Sequence, residues 1–242
     1  MTAPGLERQV LLDRDALTEH VGTLAGRIAA DHPDGVVLVG VLKGALVFLA
    51  DLARAIRTID VQVDFLAISR YAPDSGRVRI LQDLAIDVAG RDVVLVEDLI
   101  DTGLTVAYLR QHVGERGPRR LEVCALLDRV ERRIVPLDVR YVGIEVPGDA
   151  FLIGYGLHHA ERYRNLPVVL TVDRAAVVAD PDAYLDLYTP ADPPPAAPRD
   201  GRNRPGGATS AGSGPGAGGK ERRGPAARVA ESSRGNGRKG RQ

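Results

Sequence analysis

A thirteen-residue stretch combines acidic, hydroxyl and glycine residues directly after a buried apolar segment. Residues 93–105 read VVLVEDLIDTGLT, so Glu97 and Asp98 follow four apolar residues, and the segment Asp101–Thr105 enters a predicted helix. Free backbone N–H groups and the positive end of the dipole make a helix N-terminus suited to phosphate. Adjacent carboxylates suit ribose hydroxyls or Mg²⁺. The acidic pair alone is also typical of a solvated strand end with Asp101 as a helix cap, but the complete string favours binding of a sugar phosphate.

A lysine stands directly after another apolar run. Residues 36–42 read VVLVGVL and are followed by Lys43 and Gly44. Of 32 basic residues 29 are Arg, and Lys43 is the only Lys before residue 189. A lysine at a strand end can also be a charge that reaches out to solvent. The strong preference for Arg elsewhere favours a functional interpretation, in which Lys43 meets an anion.

Helical and strand patterns alternate along residues 13–127 and indicate what positions these groups. Leu17, Val21, Leu24 and Ile28 recur at helical spacing, as do apolar residues in 46–56 and 105–113. Continuous or alternating apolar runs predict strands at 36–42, 61–69, 78–81, 93–96 and 121–127. This alternation predicts an α/β fold with a mostly parallel central sheet flanked by helices. Ligands of such sheets gather at the carboxyl ends of the strands, where both motifs lie. The segment YAPDSG at 71–76 predicts a mobile surface loop.

Composition divides the chain into two regions, a folded domain at 1–188 and a basic tail at 189–242. The tail contains 12 of the 27 glycines and 8 of the 16 prolines, carries a net charge of +7, and contains no Leu, Ile, Phe or Tyr. Without large apolar side chains a segment cannot offset the entropy of ordering, so we predict a disordered tail. The domain carries −7, which makes the whole chain neutral.

The sequence argues against a disulfide-stabilised, membrane-spanning, secreted or zinc-binding protein. Cys124 is the only cysteine, so no intramolecular disulfide forms, and the longest apolar run, 36–42, is too short to cross a bilayer. The N-terminus has no apolar core like that of a signal peptide. These features predict a cytoplasmic protein with no membrane partner. His158 and His159 are adjacent and point apart in extended chain, and no Cys/His cluster supports zinc.

Three separated motifs resemble the type I phosphoribosyltransferase family and, within it, the hypoxanthine-guanine subfamily. They are LVGVLKGALVFLADLARAI, VEDLIDTGLT and GYGLHHAERYRNLP, in that order, and the resemblance covers about residues 9–172. It implies a phosphoribosyltransferase-like sheet with a small hood region, Mg²⁺ as cofactor, phosphoribosyl pyrophosphate (PRPP) and a purine base as partners, and a homo-oligomer, either dimer or tetramer. The tail has no counterpart in the shared pattern.

The resemblance assigns a role to each matching residue. It implies that Asp101 is the general base near the purine N7, and that the 5′-phosphate loop consists of Asp101, Thr102, Gly103, Leu104 and Thr105. Glu97 and Asp98 are expected to take the ribose hydroxyls and to be candidate metal ligands. Lys43 and Gly44 match the pyrophosphate loop, which in the family can hold a cis peptide bond that does not involve proline. Arg164 matches an arginine that contacts pyrophosphate, and a guanidinium fork suits that anion.

The base pocket shows both matches and departures. Phe151 matches the aromatic residue that stacks on the purine, and Leu152 matches the position whose backbone reads the purine edge. Arg129 stands where the family has the lysine that recognises the 6-oxo group. Arg70 replaces the serine of a Ser-Tyr pair in the mobile loop. His158 replaces an aspartate that helps to hold a metal ion and to read guanine; because imidazole is a poor Mg²⁺ ligand, His158 is a doubtful metal ligand.

The sequence therefore predicts a Mg²⁺-dependent transferase of purine salvage that converts hypoxanthine and PRPP to the nucleoside monophosphate and pyrophosphate. Whether guanine is also a substrate stays open at this point. One alternative keeps PRPP but uses a different acceptor, because Arg70, Arg129 and His158 all depart on the base and metal side. The other is a non-catalytic sensor of PRPP or nucleotides whose basic tail binds nucleic acid through charge.

Overall fold

The computed structural model describes residues 6–69 and 79–188. Its strands are β1 (Arg8–Leu12), β2 (Val36–Leu42), β3 (Val61–Ser69), β4 (Arg79–Gln82), β5 (Asp92–Ile100), β6 (Arg120–Asp128), β7 (Tyr141–Glu145), β8 (Phe151–Ile153) and β9 (Val169–Val172). Its α-helices are α1 (Arg14–Asp31), α2 (Leu46–Ala55), α3 (Leu104–Gly114) and α4 (Arg174–Ala179). Arg70, the predicted loop at 71–76 and the predicted tail at 189–242 lie outside the described residues.

The central sheet has six strands in the order β4-β3-β2-β5-β6-β7. Strands β3, β2, β5, β6 and β7 pair in parallel, and only β4 is antiparallel to its neighbour. The chain runs from β2 through α2 to β3 on one side, and from β5 through α3 to β6 on the other. The order of connection therefore reverses between β2 and β5, the kind of position at which open α/β sheets bind ligands.

Two apolar layers cover the two faces of this sheet, as the continuous apolar strands predict. Val36 and Leu38 point into one layer with Phe48 and Leu52 of α2 and the buried face of α1. Alternate residues of the same strands point into the second layer, with Leu109 of α3. These layers confirm the predicted α/β fold with flanking helices.

A separate three-stranded antiparallel sheet, in the order β1-β9-β8, forms the small hood region. It brings Arg8 beside Val172, so the first and last strands of the domain pair with each other. A third apolar cluster supports it and includes the fully buried rings of Tyr163 and Tyr184. The hood carries two of the three base-binding candidates, Phe151 and Leu152, on β8.

The structure differs from the sequence prediction in two features around the acidic pair. The predicted strand at 93–96 is longer in the structure, because β5 continues through Glu97 and Asp98 to Ile100 and pairs with β6 along this length. Helix α3 begins at Leu104 behind Gly103, so Asp101 is not the helix cap that one interpretation suggested. The acidic pair therefore lies within the carboxyl-terminal part of β5, where the sequence analysis expected the strand to have ended.

No helix within 6–69 and 79–188 combines the length and the apolarity needed to cross a membrane. The Cys124 thiol is buried in the sheet core, and its burial raises its pKa.

An ion pair between the buried Asp92 and the half-exposed Arg119 stabilises the end of the sheet opposite the carboxyl ends of the parallel strands. The Asp92 carboxylate, at the start of β5, accepts a bond of 2.7 Å from Arg119 Nε and lies 2.8 Å from His32 Nδ1. The Asp92 and His32 side chains are each only 1% exposed. The hydrogen bond from Arg119 is the main cause, and that from His32 a smaller cause, of the lowering of the pKa of Asp92 to about 2.

This pair makes stability depend on pH in the acid range. Because the pKa of Asp92 is lower in the folded than in the unfolded state, its contribution is complete above about pH 4 and is lost as the pH falls towards 2. We expect Asp92→Asn to lower the free energy of unfolding by on the order of 1 to 2 kcal/mol at pH 7, allowing for solvent screening at Arg119, and by much less near pH 2. Urea unfolding of both proteins between pH 2 and 7 measures this difference. Asp34→Asn is the control, since Asp34 faces the same Arg119 at 3.6 Å but is 76% exposed. Equal losses in the two variants would contradict the role of burial.

Candidate active site

The predicted phosphate and pyrophosphate motifs lie at the carboxyl ends of neighbouring strands. Lys43 and Gly44 follow β2, Glu97 and Asp98 lie near the end of β5, and Asp101 begins the loop that leads into α3. Since β2 and β5 pair directly, these groups meet at the point where the order of connection reverses. The structure therefore brings together residues separated by more than fifty positions in sequence.

The loop before α3 has the geometry of an anion cradle. Gly103 adopts a left-handed conformation with φ of 82° and caps the 11-residue helix, in which Leu104 and Thr105 form the first turn. The carbonyl of Thr102 accepts a 2.9 Å hydrogen bond from the amide of Ile134, which ties the loop to the segment after β6. The free N–H groups of this first turn are donors for a phosphate.

Arg133 packs behind the same loop. A Cβ at Gly103 would lie 2.7 Å from Arg133 Cδ, and the Arg133 guanidinium bonds to the buried carboxylate of Asp128. Gly103 is therefore required both by its backbone angle and by this neighbour. The arrangement also places a partly buried cation behind the predicted phosphate loop.

Two glycines let the loop after β2 lie against the rest of the site. A Cβ at Gly44 would overlap the carboxylate of Asp98, and a Cβ at Gly156 would overlap the carbonyl oxygen of Gly44. Gly156 has φ of 99°, which also favours glycine. The peptide bond between Leu42 and Lys43 is cis, as the family resemblance implies. Gly44 thus holds the predicted pyrophosphate loop directly beside one of the acidic pair.

Asp101 lies between two arginines. Arg132 Nε is 2.6 Å from Asp101 Oδ1, and Arg129 Nη1 is 3.7 Å from the same oxygen. The Asp101 side chain is 40% exposed, so it is accessible from solvent while it faces both guanidinium groups. A carboxylate held in this way is a hydrogen-bond acceptor available to a ligand.

Arg129 also reaches the hood. Its Nη2 donates to the carbonyl oxygen of Ala150, next to Phe151 at the start of β8. Phe151 is partly exposed and lies edge to face with His159 at 5.7 Å between ring centroids, whereas Leu152 is buried. The structure therefore brings Arg129, the 6-oxo-reading candidate, to the backbone next to the stacking candidate Phe151, and Arg129 also faces Asp101.

One carboxylate joins the two predicted pyrophosphate cations. Glu161 Oε2 accepts from Lys43 Nζ at 3.0 Å, and its Oε1 accepts from Arg164 Nη2 at 3.2 Å. Arg164 Nη1 also donates to the Gly156 carbonyl at 2.6 Å. The Lys43 ammonium, and then the Arg164 guanidinium, lower the pKa of Glu161 to about 2.

The residues that could hold a metal ion differ in their chemistry. Glu97 is buried, Asp98 is partly buried beside Gly44, and both supply the carboxylate oxygens that Mg²⁺ prefers. His158 Nδ1 instead accepts the backbone N–H of Glu161 at 3.2 Å. Across 6–69 and 79–188, no group of three or more His, Cys, Asp or Glu side chains is arranged to hold a metal ion. The acidic pair fits a Mg²⁺ that keeps waters and ligand phosphates in its shell, and His158 does not fit.

Sequence reasoning missed Glu161, Arg132, Arg133 and Gly156. Glu161 and Gly156 lie inside the GYGLHHAERYRNLP motif, and the two arginines lie four or fewer residues after Arg129. Their position next to residues already assigned from the sequence is the one sequence signal that could have identified them, but their contacts depend on the folded arrangement. Their importance therefore becomes visible only in three dimensions.

Comparison with known proteins agrees with this geometry. The phosphoribosyl transferase domain family matches residues 9–162, and the chain belongs to this family. Its relatives include the hypoxanthine-guanine phosphoribosyltransferase of Mycobacterium avium, which is 41% identical over 180 residues, covering 70% of this chain and 88% of the relative.

Solved structures lead to the same subfamily. A hypoxanthine-guanine phosphoribosyltransferase from Bacillus anthracis, with a HEPES molecule in its active site, is 41% identical with a TM-score of 0.66, covering 69% of this chain and 99% of that chain. The hypoxanthine phosphoribosyltransferase of Trypanosoma cruzi, in complex with the product IMP, is 34% identical with a TM-score of 0.66, covering 72% and 98%.

Proposed function

We propose that this chain catalyses the Mg²⁺-dependent transfer of the phosphoribosyl group of PRPP to hypoxanthine, which yields inosine monophosphate and pyrophosphate. The observation that carries the proposal is the meeting of a helix-end phosphate loop, an acidic pair and a lysine-glycine loop between β2 and β5. Relatives about 40% identical that are named for this activity support the same conclusion.

In the proposed complex each loop binds a different part of PRPP. The segment Asp101–Thr105 receives the 5′-phosphate at the start of α3, and Glu97 and Asp98 accept hydrogen bonds from the ribose hydroxyls. Lys43, the backbone of Gly44 and Arg164 bind the pyrophosphate. Glu97 and Asp98 would hold a Mg²⁺ ion, which would supply positive charge against the leaving group.

The chemical step exchanges one bond at C1′ for another. Purine N9 forms a bond to C1′ as the bond from C1′ to the pyrophosphate oxygen breaks, and Asp101 takes the proton from N7. Lys43 and Arg164 stabilise the charge that develops on the departing pyrophosphate. Positioning of both reactants at one sheet edge supplies much of the remaining rate.

The base pocket supports a 6-oxopurine as acceptor. In the proposed complex the purine stacks on Phe151, and the backbone at Leu152 reads the purine edge. Arg129 is only 12% exposed and donates to the Ala150 carbonyl, which holds its guanidinium beside Phe151. A buried guanidinium is a strong donor to a 6-oxo group and has no acceptor for a 6-amino group, so Arg129 favours hypoxanthine over adenine.

A panel of purines tests this proposal. With PRPP and Mg²⁺ we expect pyrophosphate release with hypoxanthine, and at least about 100-fold lower kcat/KM with adenine, because adenine leaves the Arg129 donor unpaired. Guanine and xanthine are assayed in parallel. Silence with all four bases, alongside PRPP binding measured by calorimetry, would contradict the proposal and favour another acceptor or a sensor.

The proposal also includes a homo-oligomer, either a dimer or a tetramer, on the family resemblance. It places the enzyme in the cytoplasm on the sequence features described above.

A further inference from the structure

The pyrophosphate side of the site contains a negatively charged group of its own. Each oxygen of the Glu161 carboxylate bonds to a different cation, Lys43 at 3.0 Å and Arg164 at 3.2 Å. A phosphate group bound between Lys43 and Arg164 would make the same pattern, with one oxygen bonded to each cation. Glu161 therefore lies where the proposed function requires an oxygen of pyrophosphate.

The backbone at Glu161 is unusual for its residue type. Ala160 and Glu161 have φ of 48° and 63°, and they form a two-residue turn closed by a 2.9 Å bond from the Arg162 amide to the His159 carbonyl. Turns with two positive φ values favour Asn, Asp and Gly. Residues held in such disfavoured conformations are typical of functional sites. The turn is thus a poor place for a glutamate unless the side chain has a task there.

The contacts of Glu161 are of a kind that a ligand can replace. The Lys43 and Glu161 side chains are 68% and 59% exposed, and exposed ion pairs contribute little stability. Arg164 is 21% exposed and keeps a second bond to the Gly156 carbonyl. Arg164 can therefore stay in place while Glu161 leaves it.

We propose that Glu161 is a positioning residue that occupies Lys43 and Arg164 in the free enzyme and competes with pyrophosphate for them. This inference rests on the proposed function, which assigns both cations to pyrophosphate. An internal competitor lowers ligand affinity by the fraction of molecules in which it occupies the site. Glu161 thereby weakens the binding of both PRPP and the pyrophosphate product, and it speeds product release.

Replacing Glu161 with Gln removes the charge and keeps the size. We expect the Kd for pyrophosphate with Mg²⁺, measured by calorimetry, and the KM for PRPP to fall together by about three- to tenfold, without a rise in kcat. Glu161→Asp, which restores the charge, should return both values towards those of the natural protein. If Glu161 instead served only to support Lys43 and Arg164, Glu161→Gln would bind pyrophosphate more weakly, and that result would overturn the proposal.

A double replacement separates competition from a general effect of net charge. In a Lys43→Met background, Glu161→Gln should raise pyrophosphate affinity by a smaller factor, because Lys43 no longer has to be released. An equal gain in both backgrounds would assign the effect to net charge and overturn the proposal. Glu19→Gln, on the exposed face of α1, is the matched control for loss of one carboxylate and should leave affinity unchanged.

Two further measurements keep the result interpretable. Glu161→Gly suits the turn and lacks the carboxylate, so it should show the same gain in affinity even if Gln disturbs the backbone. Activity of the natural chain distinguishes the two proposals. If it neither binds pyrophosphate nor uses hypoxanthine, the proposed function fails; if it does both and neither Glu161 variant binds pyrophosphate more tightly, this inference alone fails.

Discussion

Asp101→Asn should lower kcat with hypoxanthine by about 100-fold or more, since removal of a general base costs on the order of 10² to 10⁴ in rate. The amide keeps the size of the side chain but cannot take the proton from purine N7. Affinity for PRPP should change only a few-fold, because the phosphate is bound by the N–H groups that begin α3. Steady-state kinetics and PRPP calorimetry on the same preparation measure the two effects.

The surroundings of Asp101 require a matched control. The replacement also removes a charge from Arg132, 2.6 Å away, and from Arg129, 3.7 Å away. Asp138→Asn makes the same chemical change at an exposed position before β7 and should retain full activity. An Asp101→Asn enzyme with kcat within threefold of the natural protein would eliminate the proposed base. A large loss of PRPP affinity would instead assign Asp101 to binding.

The central sheet could be predicted because its signal is local. Strands β2 and β3 have the predicted bounds, 36–42 and 61–69, since continuous or alternating apolar residues identify each strand without knowledge of its neighbours. The hood sheet is different. Its strands are five residues or fewer, and β1 pairs with β9 across more than 150 positions, so no single segment carries a strong pattern.

The residues of the candidate site likewise fall into those that the sequence could predict and those that it could not. Lys43, Asp98 and Asp101 could be found because their motifs are contiguous with buried strands that end at one sheet edge. Glu161 could not be found in this way, because its importance arises from its bonds to Lys43, 118 positions away, and to Arg164. A sequence pattern reports residue types and spacing, whereas these bonds depend on how the segment after β8 folds back over the loop after β2.

Gly44→Ala should lower kcat/KM for PRPP by about 100-fold or more. The added Cβ would overlap the Asp98 carboxylate, and the loop has little room to retreat because Gly156 backs onto the Gly44 carbonyl oxygen from the other side. The replacement therefore displaces either the pyrophosphate loop or the acidic pair, and a misplacement of about 1 Å can cost 100-fold in rate. Steady-state kinetics with varied PRPP measure the loss, and thermal unfolding shows whether the fold is retained.

Gly26→Ala provides the matched control, since nothing lies within 4 Å of a Cβ at this position in α1. It should keep full activity and raise the free energy of unfolding by about 0.5 to 1 kcal/mol, because alanine favours the helix. The comparison isolates the close approach at Gly44 from the general effect of adding a methyl group. Activity of Gly44→Ala within threefold of the natural protein would mean that contact between the pyrophosphate loop and Asp98 is not needed for catalysis, and PRPP would then have to bind with these two elements further apart.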